Sequence, residues 1–225
     1  MTKDYDDTDL QRLYDEDYFR KRESIPMWIQ RAQFVKEKFH PNTVLDVGCA
    51  TGKFVYYLND LGIDAYGIDG SDYALSQVDK KISNKFHKVN MNSDTLPFTD
   101  EFFDFIGSFY SVEHIHNIEF FAKEIHRTLK NDGLVWFLTP NVGKKGRNNA
   151  DVNTNIFSDW KKIFSDCGFD VQKFSPHEML TLKGKLRKFG FYKLPTPLQN
   201  IVKKIAYNFV NTTSMKDTSF ILTKK

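Results

Sequence analysis

Val44-Leu45-Asp46-Val47-Gly48-Cys49-Ala50-Thr51-Gly52-Lys53-Phe54 is the stretch that decides the fold. Residues 43–47 form a short β-rich apolar run, 48–52 a glycine turn, and 54–61 a run at helical spacing that Gly62 ends. A strand entering a helix through such a turn brings unpaired backbone N–H groups close to a ligand, because Gly48 and Gly52 permit approaches that a Cβ obstructs. Asp46 stands at the carboxyl end of the strand. A carboxylate there repels a pyrophosphate and suits an ammonium or a sulfonium, so the turn favours an amino-acid-bearing nucleoside over a dinucleotide. Gly48 to Lys53 also lacks the GxGxxG order, which disfavours a nicotinamide dinucleotide.

Working outward, Gly67-Ile68-Asp69-Gly70 puts Asp69 at the end of a second strand over 65–68, where a carboxylate accepts both hydroxyls of a ribose. A helix over 73–82 and a strand over 86–89 complete a βαβαβ half-fold. Strands are then expected at 103–109, 134–138 and 169–174, with helices at 118–129 and 156–167 and a turn at Asn131-Asp132-Gly133. Residues 219–223 add a last edge strand, and Ile25, Trp28, Ile29, Ala32, Val35 and Phe39 mark a leading helix. The alternation predicts an α/β, Rossmann-like, seven-stranded and mostly parallel sheet flanked by helices. The expected organisation is an N-terminal helical extension over 1–39, a nucleotide-binding domain over 40–175, and a basic helical segment with the last strand over 176–225.

The composition sets outer limits. A chain of 225 residues, 40% hydrophobic and 27% charged, supports one sizeable core. No apolar run is long enough to span a bilayer, and the acidic start MTKDYDDTDL lacks the order of a secretory signal, so a cytoplasmic location is expected. Cys49 and Cys167 lie far apart without zinc-type neighbours, which predicts two free thiols and no metal. A net charge of +3 gives no case for nucleic acid.

These motifs together resemble the class I S-adenosylmethionine-dependent methyltransferases. Val44 to Phe54 looks like their motif I, with Ala50 in place of the middle glycine, and Gly67 to Gly70 looks like their second-strand motif. Asn92-Ser93-Asp94-Thr95-Leu96-Pro97-Phe98 resembles the segment that covers the adenine, and residues 129–141 resemble the approach to the fifth strand. The resemblance covers roughly residues 40 to 175. It implies S-adenosylmethionine as cofactor, with Asp46, Gly48 and Gly52 at the methionine portion, Asp69 at the ribose, and Cys49, Ala50 and Gly70 among the cofactor-binding residues beside them. Asn92, with Ser93 beside it, or else Asp94, would accept from the adenine amine; Ser108 and Phe109 would line the pocket from the fourth strand.

The stretch after that strand, Ser108 to His116, carries the candidates for work on the methyl acceptor. Val112-Glu113-His114-Ile115 is similar to a quartet in the ubiquinone-biosynthesis O-methyltransferases, which implies Glu113 and His114 as catalytic residues and oxygen as the acceptor atom; Tyr110, just past the end of the same strand, is the third catalytic candidate by its place. The implied acceptor is a small molecule, a glycan or a lipid-linked intermediate. Lys144, Lys145 and Arg147 stand in the loop after the fifth strand, suited to an anionic group, and residues 182–210 interleave basic and apolar side chains in a way that suits peripheral membrane contact or packing on the domain. The alternative from another class is a scaffold that binds the cofactor without transferring methyl.

Overall fold

Thr43–Val47 (β1) reads as an apolar run because it is buried on both faces, and it pairs in parallel with Asp64–Asp69 (β2) on one side and Phe103–Phe109 (β4) on the other. The computed structural model describes residues 25–140, 153, 155–174, 198 and 217–225. Phe86–Lys88 (β3) lies outside β2, and Leu129–Pro140 (β5) lies outside β4, both parallel. Asp217–Lys224 (β7) then runs antiparallel between β5 and Phe169–Lys173 (β6). The sheet has seven strands in the order β3-β2-β1-β4-β5-β7-β6.

Two apolar layers cover it. On one face Leu45, Val47, Ile68, Ile106, Val135 and Phe137 pack against Ile118–Thr128 (α4) and Phe157–Asp166 (α5). On the other, Val44, Ala65, Phe105, Phe109 and Trp136 pack against Ile25–Phe39 (α1) and Lys53–Asp60 (α2). The expected leading helix thus forms, and its Ala32 and Val35 are fully buried.

Three expectations are corrected. The last strand is not at an edge: Thr218, Phe220 and Leu222 alternate inward along β7, which is paired on both sides, and β6 takes the edge. A period-two pattern is the same for an edge and an inner antiparallel strand, so only tertiary pairing separates them. The helix expected at 73–82 is cut to Asp72–Ser76 (α3), because the Asp79 side chain accepts from Lys81 N at 2.9 Å and starts a separate 3-10 helix, Lys80–Lys85. Asn131 to Gly133 does not precede the fifth strand; the register jumps from Phe103↔Leu129 to Phe105↔Leu134, so these residues bulge within β5.

Phe220 tests the place of β7. It is fully buried, with ring centroids 5.7 Å from Phe137 and 6.0 Å from both Trp160 and Phe164. Phe220→Ala is expected to cost about 3–5 kcal/mol in a denaturant titration. A cost under about 1 kcal/mol would place β7 outside the core.

Lys144, Lys145 and Arg147, and the basic segment 182–210 apart from Leu198, lie outside the described residues. Among the described residues no helix is long and apolar enough to cross a membrane.

Candidate functional site

Parallel strands deliver their carboxyl ends to one rim of the sheet, so the ends of β1, β2 and β4 converge. The glycine turn winds through left-handed backbone at Gly48 (φ 70°), Ala50 (φ 50°) and Gly52 (φ 74°). Gly48 N and Cys49 N both donate to Ile68 O, at 2.8 and 3.0 Å, which straps the turn onto β2. A Cβ on Gly48 would stand 2.1 Å from Ser111 Oγ, and one on Gly52 would stand 2.5 Å from Phe86 Cζ. The first glycine is therefore required by the turn after β4, the second by packing against β3.

Asp69 ties this turn to the next helix. Its Oδ2 accepts from Ala50 N and its Oδ1 from Ser71 N, both at 2.9 Å. Burial pushes its carboxyl above the ordinary range, and the N–H groups of Ser71, Ala50 and Gly70 pull it part of the way back. A carboxylate offers about four acceptor sites, so these three N–H groups leave it capacity for a ribose hydroxyl. A Cβ on Gly70 would meet nothing nearer than Val89 O at 3.7 Å.

Asp46 lies in register with Gly67 of β2 and Gly107 of β4, so neither neighbouring strand places a side chain beside it on that face. Cys49 and Phe109 fold over those two glycines; the added Cβ atoms would lie 2.7 Å from Cys49 Sγ and 2.8 Å from the Phe109 ring. Asp46 is only 3% exposed, and burial pushes its pKa up to about 7, against the pull of Arg31 and with the help of Asp69. Cys49 is buried too, and burial, then Asp69 and Asp46, push its thiol up, so its side chain is packing and its backbone belongs to the turn.

Arg31 of α1 is the site residue that sequence reasoning missed. It is 2% exposed, its guanidinium carbon lies 4.0 Å from the Phe109 ring centroid and 4.7 Å from that of Trp28, and its Nε and Nη1 have no hydrogen-bond partner among the described residues. Burial lowers its pKa to about 10, opposed by Tyr110 and Asp46. Among the described residues no ion pair within 4.0 Å joins Arg31 to Asp46; the two buried groups act on each other through space without touching. A signal existed: Trp28, Arg31, Ala32 and Val35 share one helical stripe, and a cation within an apolar stripe is a reason to look for its counter-charge.

The other candidates fall into two groups. Tyr110 has left-handed backbone (φ 64°), its N–H donates to Leu138 O at 2.8 Å and its hydroxyl to Asp217 Oδ2 at 3.0 Å. Glu113, 2% exposed, accepts at Oε2 from Thr139 Oγ1 at 3.1 Å, while His114 in the same 3-10 turn, Val112–His114, is partly exposed. Ser108 is fully buried in register with Val47, on the α4 face and opposite Phe109, with Oγ unpartnered among the described residues, so its side chain lies on the other face of the sheet from Asp46. Asn92 Oδ1 accepts the N–H groups of His116 and Asn117, and exposed Asp94 accepts from Asn90 N and Ser93 Oγ within its own loop. Among the described residues no group of three or more His, Cys, Asp or Glu is placed to hold a metal.

The strand order, with its single antiparallel strand beside β5, and the acid-flanked glycine turn define a Rossmann-like fold of the methyltransferase type. Residues 45–137 match the family model described as a methyltransferase domain. The chain is 29% identical over 147 residues to a ubiquinone biosynthesis O-methyltransferase of Pelagibacter ubique, covering 63% of this chain and 59% of that one. It is 33% identical over 140 residues to an uncharacterized protein of Methanocaldococcus jannaschii, covering 62% and 52%. The chain thus spans between half and two thirds of the length of these relatives. A crystal structure of a SAM-dependent methyltransferase from Archaeoglobus fulgidus superposes with a TM-score of 0.65 at 15% identity, covering 94% of this chain and all of that one. Residues 45–137 thus resemble a methyltransferase domain, on a fold shared with a solved S-adenosylmethionine-dependent methyltransferase.

Proposed function

We propose that this protein binds S-adenosylmethionine at the β1–β2 rim and transfers its methyl group to an oxygen of a small-molecule acceptor. The observation that carries the reading is the buried pair of opposite charges, Asp46 and Arg31, the latter with Nε and Nη1 unpartnered among the described residues, near Asp69 at the end of β2. That arrangement is complementary to an α-amino acid joined to a ribose, and it fits the cofactor of the class. Arg31 takes the carboxylate through its free Nε and Nη1, Asp46 the ammonium, and Asp69 the ribose hydroxyls. Bound there, S-adenosylmethionine supplies an electrophilic methyl on a sulfonium.

The chain's own work is to hold the acceptor in line and receive its proton. Glu113, buried against Thr139, holds the turn after β4, and we assign proton acceptance to the partly exposed His114. Tyr110, set by Asp217, lines the acceptor side. The oxygen preference is supported by the likeness to the ubiquinone biosynthesis O-methyltransferase.

Titration calorimetry with S-adenosylmethionine and S-adenosylhomocysteine, with NADH as control, tests the cofactor; release of S-adenosylhomocysteine over a panel of phenols, carboxylates and amines tests the acceptor. Binding with no turnover on any acceptor would favour the scaffold alternative. His114→Ala is expected to lower turnover about a hundredfold while S-adenosylhomocysteine affinity holds. A parallel loss of affinity would remove it from the role of base.

A further inference from the structure

Asn92 lies in the segment that follows β3, and its amide oxygen accepts from His116 N at 2.7 Å and from Asn117 N at 3.1 Å. Asn117 Nδ2 returns a bond to Asn92 O at 3.2 Å, and the same Asn117 caps α4 by accepting from Phe120 N. A carbonyl oxygen has two acceptor lobes, and two N–H groups fill them. The far end of the segment is fixed to the far end of α4: Arg127 donates to Leu96 O at 3.0 Å and Phe98 O at 2.8 Å, and Glu124 accepts from Leu96 N at 2.8 Å. One helix therefore carries the segment at both ends, and its N-terminal anchor is also where the turn bearing Glu113 and His114 finishes. The opposite side of that turn is held by Asn153, whose N–H donates to Glu113 O at 2.9 Å and whose side chain donates to Ile115 O.

We propose that Asn92 is a positioning residue that ties the adenosine side of the site to the acceptor-side turn, so that a ligand on one side tightens the other. The coupling rests on the cofactor reading above; the tether itself does not. Two hydrogen bonds to partly exposed backbone are strong enough to set the turn and weak enough for a bound ligand to reinforce. On this assignment Asn92 Oδ1 serves the backbone of the turn and not the adenine amine.

Hydrogen exchange at the His116 and Asn117 amides reads the tether directly, in the wild type, Asn92→Ala and Asn92→Asp, each with and without S-adenosylhomocysteine. Without ligand, Asn92→Ala should speed both amides about tenfold while β1 and β4 amides stay unchanged. Asn92→Asp, whose carboxylate accepts both bonds, should restore wild-type exchange. Added S-adenosylhomocysteine should slow the two amides in the wild type and Asn92→Asp, but not in Asn92→Ala. Should Asn92→Ala fail to fold, Asn92→Ser, too short to reach both amides, repeats the comparison.

Unchanged exchange in the variant overturns the tether. An affinity loss in Asn92→Ala that vanishes when S-inosylhomocysteine, which lacks the adenine amine, replaces S-adenosylhomocysteine overturns it in favour of adenine recognition. Wild-type protein that shows the ligand-free pattern yet binds no S-adenosylhomocysteine retains the tether and removes the cofactor reading.

Discussion

Asp46→Asn is expected to weaken S-adenosylhomocysteine binding by about a hundredfold to a thousandfold while making the ligand-free protein more stable above pH 7. The affinity term follows from removing one charge of a desolvated pair, which costs about 2–5 kcal/mol. The stability term follows from linkage. Burial raises the Asp46 carboxyl to about 7, so the folded state holds this proton more tightly than the unfolded chain, whose carboxyl titrates near pH 4. Stability from this group is fully present below about pH 4, declines as pH rises, and is lost above about pH 7. An amide has no such slope. Urea midpoints at pH 5 and pH 8 should show the variant gaining on the wild type by about 1–3 kcal/mol between the two. Equal gaps at both pH values would mean that Asp46 is not strained by its burial. The same linkage has the wild type release a proton on binding an ammonium at this site, and its affinity rise between about pH 6 and pH 8.

Arg31→Met is expected to cut S-adenosylhomocysteine affinity by about a hundredfold or more and to leave the fold intact. Methionine keeps the apolar stem between Trp28 and Phe109 and removes a buried cation whose Nε and Nη1 lack partners, so ligand-free stability should hold or rise. The loss should be confined to ligands that carry the amino-acid portion. Methylthioadenosine, which has the nucleoside and the sulfur alone, should bind the variant and the wild type alike. If its affinity falls as far as that of S-adenosylhomocysteine, Arg31 acts by holding α1 in place and not by taking the carboxylate. Because Arg31 also pulls the Asp46 carboxyl down, the variant should bind with a pH midpoint above that of the wild type.

Much of this was legible in the residues. The unit from Thr43 to Asp60 is local: strand, turn and helix follow one another, and each has its own short-range cause in apolar burial, glycine freedom and helical spacing. Asp46 and Asp69 could be placed at strand ends for the same reason, and the parallel order of the first strands follows from their alternation with helices. The stripe of α1 does not by itself place Arg31, because nothing near it in the chain says that its guanidinium lies over Phe109 at the end of β4. Register in the motif points Asn92 at the adenine, and its oxygen instead meets the backbone of a turn from beyond β4. Ser108 and Phe109 adjoin in sequence, yet the pleat sends one under α4 and the other beneath Arg31.

Residue pattern alone determined most of the elements, the glycine turn and the acids at its rim, since these depend on neighbours a few residues apart. Tertiary structure alone decided that β7 enters between β5 and β6, that Arg31 is buried within electrostatic reach of Asp46, and that Asn92 holds the turn bearing His114. Each of these is a meeting of distant segments, fixed by which surfaces become buried together, and burial is a property of the assembled chain.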